Sequence, residues 1–417
     1  MKVVRIAAAA ALLAIAAGCG PSGHSGGGTS VPEHPTYYKD VAPILEANCV
    51  GCHVAGSIAP FVLDSYSAAS VQAAGIKSDT TARLMPPWGP VDDGTCQTWR
   101  NARWLSNDEI TILSRWADDG APAGDVMPTP TPAPTPELAH VDATLDMGVT
   151  YTPIAPAGMN DEYRCFLVDP GLTADAYITG YHVHPGARSI VHHVIAYAVS
   201  TSGASQALAL DQQSADPGYE CFGTAGVDGE SWALGWAPGG DVSFYPDTTG
   251  VPLKAGQKLV LQVHYNLTAG SQPDDTRVDL QLESTVAKRA YIFPIPNESF
   301  SLPKGQASIS STVTYPLSQL PVDVHLWGLG PHMHLLGRAQ DVSLIHSSGT
   351  EECLLHQPHY SFKWQQLYEY QDPILVTPAD SLKLTCTWDT TNAVNDPTTW
   401  GEGTADEMCL AIAYITQ

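Results

Sequence analysis

Positive charge is what this sequence has least of. Nineteen Lys and Arg face 43 Asp and Glu, a net charge of −24 over 417 residues. That balance excludes nucleic acid as a partner, and it excludes adhesion to anionic membranes through charge. Charge of either sign is thin: 15% of residues are charged and 44% are apolar. The chain can therefore fill real cores, and its length predicts two or three domains. Sustained helical periodicity is missing beyond the first third, which excludes an all-helical protein. Thirty-six Gly and 33 Pro, with abundant Thr, Val and Tyr, cut the remainder into short strands and turns. No convincing short-period repeat is present.

The apolar run Ile6 to Ala17 is too short to span a bilayer, follows Lys2 and Arg5, and ends in small residues, the pattern of an export signal. Ala16-Ala17-Gly18-Cys19 resembles a bacterial lipobox. Residues 1–19 would then be a signal peptide, with lipid on Cys19 holding the protein to a membrane facing the periplasm or cell surface. Because Ala16 stands where Leu is usual, a plain secretory signal with an incidental Cys is the alternative. Both readings predict an exported chain, where disulfides persist. Of nine cysteines, Cys19 belongs to the signal and Cys49 and Cys52 to a motif. The remaining six permit three bridges, with the pairing open.

Residues 20–36 form a flexible tether in which His24 and His34 receive no role. Residues 37–122 predict a small helical unit. Val41, Ile44 and Leu45 mark a helix running towards Cys49, and Ser106-Asn107-Asp108-Glu109 is a capping box ahead of Ile110, Leu113 and Trp116. Gly120 is a natural stop. Between these helices, Cys49-Val50-Gly51-Cys52-His53 has the c-type haem attachment pattern, with two thioethers from the cysteines and His53 as proximal iron ligand. A thioredoxin-like dithiol would need a βαβ pattern that is absent. Met85, in Arg83-Leu84-Met85-Pro86-Pro87-Trp88, is the candidate second axial ligand; a core filler is the alternative. A His/Met pair leaves no open iron position, so such a unit carries electrons. The stretch resembles small bacterial cytochromes c. Residues 123–138, centred on the Pro/Thr run Met127 to Pro136, predict a stiff extended spacer.

From residue 139 the chain reads as strands: Tyr177 to His184, Ile190 to Val199, Leu259 to Leu267, Val278 to Glu283, Asp323 to Leu329, Asp341 to His346 and Ser381 to Trp388. Pro185-Gly186, Pro238-Gly239-Gly240 and Ser347-Ser348-Gly349 mark turns between them. This predicts two β-sandwiches dividing near Ala287 to Pro296. In Gly330-Pro331-His332-Met333-His334, the two histidines point to one side of a strand and can close on copper, zinc or iron, while Met333 points away. His192 and His193, adjacent in an apolar strand, would face opposite ways unless the strand bends. Burying both without partners is costly, which favours metal ligands over core histidines. His264 and Met408 are weak candidates taken singly. His182 and His184 form a second His-x-His that spacing does not separate from the first; they read as surface residues. His325 lies on the strand feeding His332 and is a candidate donor to it. His140, His346, His356 and His359 read as solvated or structural.

Taken together, His192-His193, His264-Tyr265, His332-Met333-His334 followed by Leu335-Leu336-Gly337-Arg338, and Asp406-Glu407-Met408-Cys409 resemble the type II copper, ascorbate-dependent monooxygenases. This is the family of dopamine β-hydroxylase and peptidylglycine α-hydroxylating monooxygenase. The likeness covers about Thr144 to Thr416, and Phe362-Lys363-Trp364-Gln365 with Tyr368 also looks like a family segment. The resemblance implies a mainly β fold. Two jelly-roll-like copper sandwiches, 139–288 and 289–417, would follow the small all-α cytochrome c domain. It implies an electron-transfer copper on His192, His193 and His264, and an oxygen-binding copper on His332, His334 and Met408. The implied reaction is hydroxylation of a C–H bond of a small molecule by O2, with electrons from ascorbate. It also implies disulfides Cys386–Cys409 and Cys165–Cys221, leaving Cys96 and Cys353 to pair across domains or stay free.

Two departures matter. Gly330 stands where peptide-hydroxylating members carry Arg, and Leu410 and Ile412 replace their Asn and Tyr. A C-terminal glycine peptide is thereby disfavoured, and an apolar or aromatic small molecule is expected. The fused helical unit is expected to pass electrons from an external donor to the His192/His193/His264 copper, replacing or supplementing ascorbate. Competing readings are a non-enzymatic periplasmic copper-binding or electron-transfer lipoprotein, and a disulfide-stapled structural lipoprotein.

Overall fold

The computed structural model describes residues 31–55, 59–100, 104–127, 136–157, 159–236, 242–246, 248–362, 364–401 and 405–417. The signal segment with Cys19, most of the flexible tether, the Pro-rich run 128–135, the turn at 238–240 and Lys363 lie outside them.

The first third is helical, as its periodicity predicts. A π-turn at Tyr37–Val41 continues into helix Ala42–Asn48, which ends at Cys49. Helix Asn107–Asp118 starts on the capping box: Glu109 N–H donates to Ser106 Oγ at 3.2 Å, and Ser106 N–H donates to Glu109 Oε2 at 2.7 Å. Gly120, at φ 82°, turns the chain out of this helix, a conformation that suits the residue without a Cβ. Leu113 and Trp116 are fully buried on its inner face, against Val41, Leu45 and Leu105. Helices Tyr66–Val71 and Ala73–Thr81 complete this bundle. Their apolar stripe is largely alanine (Ala69, Ala73), so the sequence pattern carries little periodic contrast.

The unit 37–122 is not self-contained. Residues 88–100 leave the helices and join the C-terminal sandwich. Trp99 is buried in that sandwich's core, stacked on Tyr370 at 4.7 Å. Around it Val91 N–H donates to His356 O, Arg100 N–H to Glu369 O and Gln371 N–H to Thr98 O. Cys96 is bonded to Cys353, which settles the pairing left open above.

Among the described residues, three large sheets carry the remainder, beside a two-stranded pair of Ser301–Leu302 and Thr398–Thr399. A five-stranded sheet runs Tyr219–Glu220, Asp161–Val168, Leu259–Asn266, Val191–Ala198, Ser231–Trp236, and a four-stranded one runs Ile309–Pro316, Ser381–Trp388, Gly337–Ile345, Glu351–Gln357. Both face one continuous nine-stranded sheet. Its N-terminal half includes Ala143–Asp146, Arg277–Glu283, Ala176–His184 and Thr249–Leu253. Its C-terminal half consists of Lys288–Pro296, Cys409–Thr416, Val324–Met333 and Tyr368–Val376. The expected division near Ala287 to Pro296 therefore falls inside a strand. Lys288 and Arg289 pair in parallel with Thr249 and Gly250, while Ala290 to Pro296 pair antiparallel with Cys409–Thr416. The two halves are further joined where Tyr414 stacks on Tyr245 at 4.9 Å and meets Thr249 Oγ1 at 2.8 Å.

Cys165–Cys221 and Cys386–Cys409 are both formed. One helix was not foreseen in the β region. Thr201–Gln213 starts on Ser200 and buries only Gly203 and Ala207, too small an apolar face to register as a period. Among the described residues, no helix is long and apolar enough to cross a membrane.

Candidate metal centres

The first centre is built on the two middle strands of the five-stranded sheet. His193 lies directly across from His264 in the ladder, and the register shifts between Val191 and His193. That bulge is the bend the adjacent pair requires: it breaks the alternation that would send one imidazole to each face. One nitrogen each from His192, His193 and His264 lies within 4.8 Å of the others. His193 Nδ1 and His264 Nδ1 are 3.2 Å apart. Two imidazoles bound at about 2.0 Å to one tetrahedral ion place their nitrogens about 3.3 Å apart, so the spacing fits a metal. Behind His264, Nε2–H points to Asp161 Oδ1 at 3.0 Å, and Asn266 Nδ2 donates to the same oxygen at 3.1 Å. The Tyr163 ring stacks on His264 at 4.0 Å, nearly parallel.

Burial and the neighbouring imidazoles hold the His193 and His264 pKa values well below the ordinary histidine range. Both rings are then neutral at pH 7, the form that binds a metal without first losing a proton.

The second centre sits at the end of Val324–Met333. Met333 is fully buried in the C-terminal core, as expected of the residue between the two histidines. His332 pairs with Leu410 and Met333 with Cys409, so the register sets Met408 beside His334. His332 is part-buried; His334 and Met408 are buried. Each ring has a defined back. His332 Nδ1 meets Gln365 Oε1 at 2.6 Å, and Gln365 Nε2 donates to Phe362 O at 2.8 Å, which fixes which end of the amide faces the ring. His334 Nδ1 meets Asp406 O at 3.1 Å. Both Nδ1 atoms are donors, which makes Nε2 the atom that each ring could offer to a metal. Burial, then the His334 charge, pushes the His332 pKa down to about 4.

Glu407 organises the backbone here. Its fully buried carboxylate accepts from His334 N–H at 3.0 Å, Leu336 N–H at 2.6 Å and Trp388 Nε1–H at 3.0 Å. The two centres face each other across Phe362, whose ring centroid is 5.5 Å from His192, 6.2 Å from His264 and 6.0 Å from His334. Phe362, Gln365 and Glu407 stand in quoted motifs, yet nothing in the sequence assigns them these contacts. Asp161, the first residue of the buried strand Asp161–Val168, carries no sequence signal beyond an acid at a strand start.

The remaining candidates are placed elsewhere. The His182 and His184 rings lie 4.0 Å apart, tilted, half-buried, with His184 on Asp279 at 2.8 Å. His325 pairs with Thr416 and Leu375, seven residues along the strand from His332, and does not back that ring. His140, His346 and His356 lie against carboxylates.

In the helical unit, Cys49 and Cys52 stand outside the three disulfides. His53 Nδ1 bonds Phe61 O at 3.1 Å, which leaves Nε2 as the nitrogen that could bind a metal. Met85 is 40% exposed. Nearby, Arg83 Nη1 and Trp88 Nε1 are buried donors without a hydrogen-bond partner, suited to an anionic group.

These features define a two-sandwich chain with two histidine centres facing each other. Residues 291–416, which contain His332, His334 and Met408, match the family model described as copper type II ascorbate-dependent monooxygenase, C-terminal domain. Similar curated proteins include DBH-like monooxygenase protein 1 of Gallus gallus, 24% identical over 54% of this chain and 39% of that protein. Tyramine beta-hydroxylase of Caenorhabditis briggsae is 27% identical over 44% and 33%. Dopamine beta-hydroxylase of Canis lupus familiaris is 23% identical over 42% and 30%. The chain thus spans at most about two fifths of the length of these relatives.

Proposed function

We propose that the protein is an exported copper monooxygenase that hydroxylates a C–H bond of a small apolar or aromatic molecule with O2. The observation that carries this is the convergence of His192, His193 and His264, with the His332/His334/Met408 centre across Phe362. The match of residues 291–416 supports it independently. His192, His193 and His264 would hold the copper that stores an electron; His332, His334 and Met408 would hold the copper that meets oxygen. Copper there supplies oxygen activation, and the soft thioether of Met408 favours Cu(I). The chain's own residues orient the ligand rings through Asp161, Gln365 and Asp406 O, and keep them neutral by burial. Gly330 lies on the His332 face, where a Cβ would meet Ile412 at 3.4 Å. With Leu410 and Ile412 beside it, that surface is apolar, and none of these three residues offers a substrate carboxylate a cation.

The helical unit is read as a c-type cytochrome carrying haem on Cys49 and Cys52, with His53 and Met85 as axial ligands. It would relay electrons from an external donor, alone or beside ascorbate. Its anchorage on the C-terminal sandwich keeps it beside the copper domains. Three disulfides fit an exported location, and lipid on Cys19 would supply the membrane attachment.

The deciding experiment loads the full chain with copper, supplies ascorbate, and follows ¹⁸O₂ incorporation into small molecules of a host extract by mass spectrometry. Incorporation in the wild type is expected, and loss of it in Met408→Ala with about one copper equivalent retained at the first centre. Two bound coppers without oxygen uptake from any reductant would instead mark a non-enzymatic copper carrier.

A further inference from the structure

The two centres are backed by different chemistry. Behind His264 stands a carboxylate, Asp161, at 3.0 Å, on a ring that is fully buried. Behind His332 stands the neutral amide of Gln365, and behind His334 the neutral carbonyl of Asp406. The acid near the second centre, Glu407, is hydrogen-bonded to main-chain N–H groups and to Trp388. A carboxylate accepting a ligand imidazole's N–H pulls that proton away and makes the opposite nitrogen a stronger donor. A stronger, harder donor stabilises Cu(II) over Cu(I), whereas neutral backing with a thioether does the reverse.

We infer that Asp161 is a positioning residue that sets the reduction potential of the copper held by His192, His193 and His264 below that of the copper held by His332, His334 and Met408. The inference rests on the copper assignment proposed above. It adds a direction: an electron resting on the first copper is downhill to the second, and the residue responsible ligates neither. Asn266, donating to the same Asp161 oxygen, holds the carboxylate in line with His264. The step is one electron taken up by Cu(II) to give Cu(I), with the His264 Nε2 proton remaining on the ring in both states.

The test uses the full chain carrying His332→Ala and His334→Ala, so that bound copper reports the first centre alone. A one-electron mediator titration, followed by the Cu(II) EPR signal, gives its potential. Asp161→Asn keeps an oxygen acceptor for His264 and removes the charge. It should weaken Cu(II) relative to Cu(I) by about tenfold, which raises the potential by about 59 mV for a one-electron couple. Asp161→Glu should restore most of the shift. In the reciprocal protein, with His192 and His193 replaced by Ala, Gln365→Glu should lower the second copper's potential. An unmoved potential in Asp161→Asn with copper bound overturns the inference and leaves the copper assignment standing. Failure of the starting protein to bind copper overturns both. If Asp161→Asn does not fold, the Gln365→Glu arm decides: no fall in potential overturns the inference.

Discussion

The two histidine centres use the same residue type to opposite ends. His192, His193 and His264 sit on two paired inner strands of a sheet, at the start of one and near the end of the other, with a bulge turning one ring and Tyr163 closing over another. His332 and His334 sit where a strand runs out, with His332 part-exposed and Met408 supplied by the neighbouring strand. An enclosed set of three imidazoles holds an ion and changes little when it changes charge. A strand-end pair with a weak thioether, on the proposed reading, would leave room for oxygen and substrate to approach. The difference lies in enclosure and in the third ligand, and it predicts unequal responses to equal damage.

Ligand removal is the harshest way to break that comparison. His264→Ala should empty the first centre, taking bound copper from about two equivalents to about one after dialysis against a weak chelator. Met408→Ala should leave more copper at its own centre, because the thioether is the weakest of that centre's three ligands, whereas His264→Ala removes an imidazole. Metal analysis of the two variants side by side checks this. Equal losses would mean that the thioether holds as much as an enclosed imidazole.

The supporting acids differ in the same way. Glu407 satisfies two backbone N–H groups and an indole, whereas Asp161 serves one ring and one amide. Removing Glu407 as Ala leaves three buried donors unpaired, at about 1 kcal/mol or more each, so a loss of about 3 kcal/mol is expected in metal-free urea unfolding. Asp161→Ala should cost about 1 kcal/mol. A reversal of that order would mean that the C-terminal centre is held by its disulfide and core rather than by Glu407.

The sequence made these centres partly legible. His-x-His on a strand needs only the period-two rule, so the orientation of His332 and His334, and the burial of Met333, could be read directly. The adjacent pair His192-His193 could be read only as a demand for a bend; the bulge that meets it is a property of two strands in register. Cys96 and Cys353 were indeterminate because 257 residues separate them, and only the insertion of Trp99 into the distant core brings them together. The shared sheet escaped for a related reason. Lys288–Pro296 looks like a boundary along the chain and is a joining strand across it. Asp161 and Gln365 were invisible as partners because a hydrogen bond to a ring leaves no spacing of its own.

The mildest effect, and the one that weighs the centres most evenly, is the response of the metal-free protein to acid. His193 and His264 are held well below the ordinary value of 6.5, and His332 at about 4, chiefly by burial. The folded protein therefore keeps these rings neutral while the unfolded chain takes up protons. The stability this carries is present in full above pH 6.5 and is lost as pH falls; for His332 the loss is complete near pH 4. Denaturation midpoints measured between pH 7 and pH 5 should fall, and His264→Gln should flatten that fall more than His332→Gln, because His264 is the more deeply buried ring. Carboxylates that touch neither ring contribute equally to both variants and cancel in the difference. If His332→Gln flattens the profile more, the strand-end centre is the drier of the two, and the contrast between an enclosed and an open site has to be reversed.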